Sequence, residues 1–142
     1  MLRKLLKTDP NNVTLTILRL MLGVVFLAHG AQKLFSIGFA NVASTMHGLG
    51  IPFPHEAAIV VTLVEFLGGI ALILGVGVRW AALLLAIDMA VAVVKVHLPH
   101  GFFAQKSGCE YPLTLLAASI MLALAGPGCL ALQGASRRGA RR

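Results

Sequence analysis

Charge is scarce in this 142-residue chain. Charged residues make up 12% of it, and only five are acidic: Asp9, Glu56, Glu65, Asp88 and Glu110. A soluble domain carries roughly 25% charged residues. With so few, the chain could not cover its own surface with groups that water solvates. At 58% hydrophobic residues and a mean hydropathy of +0.87, lipid is the expected solvent for much of it.

Cysteine is scarce as well. Cys109 and Cys129 flank one apolar run, which as a helix separates them by ~30 Å at 1.5 Å per residue. A disulfide needs Cα atoms within ~7 Å, so the two are not expected to pair within one chain. There is no Cys-x-x-Cys, which argues against a thiol–quinone oxidoreductase running on its own cysteine pair. HExxH, zinc-type Cys/His spacing, GxGxxG, a P-loop and GxSxG are also missing, and Gly48-Leu49-Gly50 is a turn signal. Of the histidines, only His29 lies inside an apolar run, too few to clamp a haem between two spans. His47, His55, His97 and His100 gather towards one surface, a weak pattern for an external ion, and no metal site is expected.

The net charge of +7 suggests nucleic acid, but its distribution does not. Arg3, Lys4 and Lys7 stand at the front and Arg137, Arg138, Arg141 and Arg142 at the back, with no basic face or aromatic platform between them. Such clusters read as cytoplasmic anchors of a chain whose partner is the bilayer. No nucleic-acid partner is expected.

Four apolar stretches fill the space between, at about 13–35, 56–76, 79–98 and 111–126. Each approaches the ~20 residues a helix needs to cross ~30 Å of hydrocarbon. The fold class expected is an all-α membrane protein, a four-transmembrane-helix bundle. Its membrane domain is 13–126, preceded by a basic cytoplasmic segment, 1–12, and followed by a basic cytoplasmic tail, 127–142. With both termini inside, Arg79 is inside too. That sets eight basic residues on one face against Lys33, Lys95 and Lys106 on the other, which orients the bundle N-in/C-in. The first 30 residues also resemble a secretory signal, with a small-residue site at Ala28-His29-Gly30-Ala31, but Arg19 interrupts the apolar run and retention is expected. Two longer connections then face outward. In the first, residues 39–49 can form a short surface helix. The second, 99–110, can fold back over the bundle.

The informative residues are those that lipid should exclude. Arg19, Glu65 and Asp88 each lie inside a span, where an unpaired charge costs at least ~2.5–3.5 kcal/mol. Glu65 is the tenth residue of the second span and Asp88 the tenth of the third, so both sit near the midplane. Arg19 is expected to pair with Asp88, Glu65 or both, and the Arg19/Asp88 pair is read as structural, fixing helix register. Towards the outer half, His29, Gln32, Lys33, Glu65, Lys95 and His97 are the candidate ligand-binding set, a mix of donors, acceptors and titratable groups suited to a small polar head group. No catalytic residue is assigned.

One pattern goes further. Arg19…Gly23…Phe26…His29-Gly30-Ala31-Gln32-Lys33-Leu34-Phe35 resembles the signature of the DoxX/DoxD family. So do Glu65-Phe66-Leu67-Gly68-Gly69-Ile70-Ala71-Leu72-Ile73-Leu74-Gly75, Lys95-Val96-His97 with Gly101-Phe102-Phe103, and Glu110-Tyr111-Pro112-Leu113. The resemblance covers about residues 14–126. It implies a multi-pass four-helix protein of the bacterial inner membrane, some relatives being the small subunit of a thiosulfate:quinone oxidoreductase. On that footing the chain is expected to be a redox-associated subunit with an intramembrane quinone or small-molecule site. Quinone is then the cofactor to consider, electrons come from a redox partner subunit or substrate, and assembly into an oligomer is compatible. The alternative is a non-catalytic membrane scaffold or assembly subunit whose polar residues hold helices together. A small-solute transporter is a weaker one.

Overall fold

The computed structural model describes residues 13–132, and every regular element within them is helical. Both terminal basic clusters lie outside the described residues. Helix α1 is Val13–Ala31, continued by a π-helical turn over Gln32–Ile37, and α2 is Phe39–Gly48. Helix α3 is Pro54–Leu74. Helix α4 is Val78–Val91, continued by a π-helical turn over Ala92–His97 and a 3-10 turn over Leu98–His100. A second 3-10 turn, Ala104–Lys106, precedes α5, Glu110–Ala125.

Three of these helical stretches are long and apolar enough to cross a membrane: Val13–Ile37 with 25 residues, Pro54–Leu74 with 21 and Val78–His100 with 23. They fall on the first three apolar runs of the sequence. The π turn Gln32–Ile37 carries the first beyond its expected end, and the 3-10 turn Leu98–His100 does so for the third. The fourth helix is shorter, with 16 residues, or ~24 Å at 1.5 Å per residue.

Local chemistry sets the boundaries. Pro54 opens α3 at the position where its missing N–H costs no hydrogen bond. At the other end Gly75 takes a left-handed conformation (φ 73°), and the N–H of Val76 returns to Ala71 O at 3.0 Å, closing the helix on its own carbonyls. Gly77, also left-handed at φ 56°, turns the chain straight into α4. Arg79, in the first turn of α4, lays its guanidinium across the last turn of α5. It donates to Ala123 O at 3.2 Å and Leu124 O at 2.7 Å. Those carbonyls have no partner within their own helix, so one arginine ties two helices at what we call the basic end.

The bundle is two helix pairs, α1 on α3 and α4 on α5. Glycine lets the first pair meet at backbone distance. A Cβ at Gly30 would lie 2.6 Å from Phe66 Cα, and one at Gly69 would lie 2.7 Å from Leu27 Cα. Gly23 meets Gly69 and Ile73. Each step along α1 is thus matched by a step back along α3, the antiparallel register of two closely packed membrane helices. The core between the pairs holds Leu15, Leu22, Phe26, Leu72, Val78, Ala82, Leu85, Met89, Leu115 and Leu122. Outward-facing Met21, Val24, Leu67, Ile87 and Leu124 are exposed, as residues facing lipid would be. A smaller cluster, Val42, Ala43 and Ala58, docks α2 on α3 at the far end.

Candidate functional site

Between the helix pairs, towards the far end, lies a cavity of about 670 Å³. Its walls are apolar: Phe26 and Ile37 from α1 and its extension, Val60, Val61 and Val64 from α3, Leu84, Ile87 and Val91 from α4, and Leu115 from α5. Helix α2 roofs it through Val42, Thr45 and Met46, followed by Leu49 and Ile51. The short surface helix expected from the sequence therefore forms, and it closes the cavity as well as lying on the surface. Val60, Leu84, Ile87 and Val91 are exposed as well as cavity-lining, so the cavity opens sideways between α3 and α4, towards where acyl chains would lie.

Into this apolar space project Lys33, Glu65 and Asp88, with His29, His97 and Tyr111 around them. Lys33 reaches across from α1 to donate to Glu65 Oε2, forming an ion pair whose carboxylate residue is 3% exposed. The helix register explains the match. Gly30 packs on Phe66, so Lys33, one turn on, starts just above Glu65 and its long stem reaches down to it. Asp88 comes from α4, its carboxyl against Glu65 and near Lys33. Its Oδ2 is buried and has no hydrogen-bond partner. His29 donates its Nδ1–H to Val25 O at 2.8 Å, and its ring lies 6.3 Å from that of Tyr111. His97 donates its Nδ1–H to Ser107 O at 2.7 Å, which pins the far-end loop to α4.

Of the six residues expected to converge, the structure gathers four at the cavity: His29, Lys33, Glu65 and His97. Gln32 and Lys95 do not line it, and both are exposed. Lys95 shares a face with Asp88 on an uninterrupted α-helix, but it stands well inside the π-helical turn Ala92–His97. Such a turn inserts a residue, and that residue's ~100° of rotation carries Lys95 off the stripe. Lys33 stands at the very start of its own π turn and keeps its direction.

The expected Arg19/Asp88 pair does not form. Arg19 is level with the turn between α3 and α4, packed on Gly75. Asp88 is ten residues beyond Val78, the start of α4, and so lies ~15 Å deeper in the bundle. Arg19 is 1% exposed, and its Nη2 donates to Leu130 O at 3.1 Å. Thr16 donates to Cys129 O at 2.7 Å alongside it. The partner is thus the segment after α5, which folds in under the bundle on left-handed Gly128 (φ 69°) and Leu130 (φ 54°) and buries Ala131 against Gly75. Asp88 belongs instead with Glu65, and their shared depth in the sequence was the signal for it. Tyr111, Thr45 and Met46 carried no such signal, because they arrive from the fourth helix and from the roof.

Cys109 and Cys129 are both free. Among the described residues no group of three or more His, Cys, Asp or Glu side chains is placed to hold a metal ion.

The family model described as DoxX matches residues 14–98, which is α1 through the extension of α4. The chain belongs to the DoxX family. The match takes in Lys33, Glu65 and Asp88 but not Tyr111, so the charged part of the cavity lies wholly within the DoxX segment. Among DoxX-like relatives, the Bacillus subtilis (strain 168) protein named "Putative oxidoreductase CatD" is 32% identical over 117 residues, covering 82% of this chain and 81% of that one. The Escherichia coli (strain K12) protein named "Inner membrane protein YphA" is 27% identical over 129 residues, covering 84% and 88%. An uncharacterized membrane protein of Mycobacterium tuberculosis is 31% identical over 121 residues, covering 78% and 74%. No solved structure gives a significant match. Family membership and the three span-length helices make this DoxX chain an integral, multi-pass membrane protein.

Proposed function

We propose that this DoxX chain is a redox-associated subunit of the bacterial inner membrane whose cavity holds a quinone or a similar lipid-soluble small molecule. All four helices cross the bilayer, the basic end faces the cytoplasm, and the roof of α2 faces outward. The observation that carries the reading is the cavity: an apolar chamber of about 670 Å³ open sideways to lipid, with Lys33, Glu65 and Asp88 inside it. Charges placed in hydrocarbon are costly and face protein or a ligand. Apolar walls with a few convergent polar groups are the usual make-up of a small-molecule site. The residues fit a ring with an apolar tail: apolar walls, with ammonium, imidazole, phenol and carboxyl groups at one place along them. Bound there, a quinone would supply electron transfer. The side chains of this protein would orient it, exclude water and exchange protons through Glu65 or His29. The name of the Bacillus subtilis relative supports the redox part, and that of the Escherichia coli relative the location. A partner subunit or the substrate would bring the electrons.

Purification in lipid nanodiscs, organic extraction and mass spectrometry test the reading. Quinone is expected to copurify with wild-type protein and to fall several-fold in Glu65→Gln. Equal recovery from both, or none from either under native lipid conditions, defeats it.

The scaffold reading rests on a different observation, the buried Arg19–Leu130 contact at the basic end, remote from the cavity. It is favoured if a partner complex keeps its full activity after Glu65→Gln and His29→Ala.

A further inference from the structure

The spare hydrogen-bonding capacity of the cavity is weighted towards acceptors. Asp88 Oδ2 is buried without a partner. The backbone carbonyls of Val25 and Ser107 can only accept, so His29 and His97 must commit their Nδ1–H groups to them. In the neutral ring the remaining nitrogen, Nε2, then has a lone pair and no hydrogen. Lys33, the strongest donor present, commits one of its three N–H groups to Glu65, and the two it keeps are outnumbered by Asp88 Oδ2 and the two imidazole Nε2 atoms. The Tyr111 hydroxyl can play either part and does not alter the balance. A head group built only of carbonyls would bring more acceptors to this set and leave Asp88 Oδ2 unmet in a buried site, where an unpaired polar group costs most.

Resting on the cavity being a ligand site, we infer that its ligand is a hydrogen-bond donor: a hydroxylated, lipid-soluble amphiphile, either a phenol or the reduced dihydroxy form of a quinone. Its hydroxyl donates to Asp88 Oδ2, with His29 or His97 Nε2 as the second acceptor. The apolar tail lies along Val60, Ile87 and Val91 and leaves through the lateral opening. The oxidised, carbonyl form is the weaker binder of the two.

Binding to full-length protein in nanodiscs, with protein-free nanodiscs as the partition baseline, separates the outcomes. The probes are decylresorcinol, its dimethyl ether, the matching decyl benzoquinone and decylammonium. Decylresorcinol is expected to bind about tenfold tighter than its ether, the value of one net hydrogen bond, and tighter than the quinone. Asp88→Asn is expected to shrink the gap several-fold. Equal binding of the resorcinol and its ether overturns the donor assignment, and this comparison needs no variant to fold. Quinone binding as tight as resorcinol overturns it too while leaving the site standing. Failure of every probe removes the site itself. Tighter binding of decylammonium makes it a cation site and overturns the hydroxyl.

Discussion

Replacing Gly30 with alanine adds one methyl group at the closest approach of α1 to α3. The new Cβ would lie 2.6 Å from Phe66 Cα and 2.8 Å from Phe66 Cβ. Ordinary contact begins at about 3.4 Å, so the helices must separate locally by most of an ångström. The obstacle is backbone, not a flexible side-chain end, so no rotamer change relieves it. Overpacking of this kind costs ~1–3 kcal/mol, and the upper half of that range is expected here. The same displacement lifts Lys33, one turn along, away from Glu65. Gly30→Ala should therefore lower the thermal unfolding midpoint in detergent by several degrees and also weaken retention of the proposed ligand. Gly48→Ala is the control. Gly48 ends α2 with nothing within 4 Å of its hypothetical Cβ. Alanine there should be neutral, or stabilising by up to ~1 kcal/mol through helix propensity. Equal midpoints for wild type and Gly30→Ala, or equal losses for both variants, would refute the glycine-mediated register.

Three further outcomes follow from the contacts. Lys33→Met leaves Glu65 buried and unpaired and is expected to cost ~3–5 kcal/mol. Adding Glu65→Leu should recover most of it, and a double-mutant cycle by chemical unfolding that shows simple additivity contradicts the pair. Arg79→Ala removes charged donors from Ala123 O and Leu124 O, at ~1.5–3 kcal/mol per charged hydrogen bond. Hydrogen exchange should rise in the last turn of α5 and not in α1. Thr16→Val deletes the hydroxyl that holds Cys129. Maleimide labelling of Cys129 should accelerate, with buried Cys109 unchanged in the same sample, and an unaltered rate would mean that the contact does not hold the segment.

Depth was readable from the sequence and azimuth only partly. The first three apolar runs became span-length helices because apolar length and flanking glycine or proline are local signals. Depth also placed Glu65 and Asp88 at one level, where the structure joins them. Direction was harder. Counting 100° per residue kept Lys33 on the inner stripe and wrongly kept Lys95 there, because no residue pattern announced the π turn at Ala92–His97. Arg19 was misassigned for a different reason. Its partner carbonyl, Leu130 O, belongs to an irregular segment, and backbone acceptors have no signature in residue type. The roof was half legible. Residues 39–49 read as a helix, but its docking through Val42, Ala43 and Ala58 is a tertiary contact.

With all four helices crossing the bilayer as proposed, the 16-residue length of α5 has a consequence for the surrounding lipid. Its ~24 Å falls short of a ~30 Å hydrocarbon layer, whereas its three longer companions meet or exceed that thickness. A protein with one short flank deforms the bilayer unevenly, pinching the leaflets together along that side at a fraction of a kcal/mol per ångström of shortfall. Two such flanks brought side by side share one pinched zone instead of making two, so the membrane itself supplies an attraction between copies, or towards any neighbour with an equally short helix.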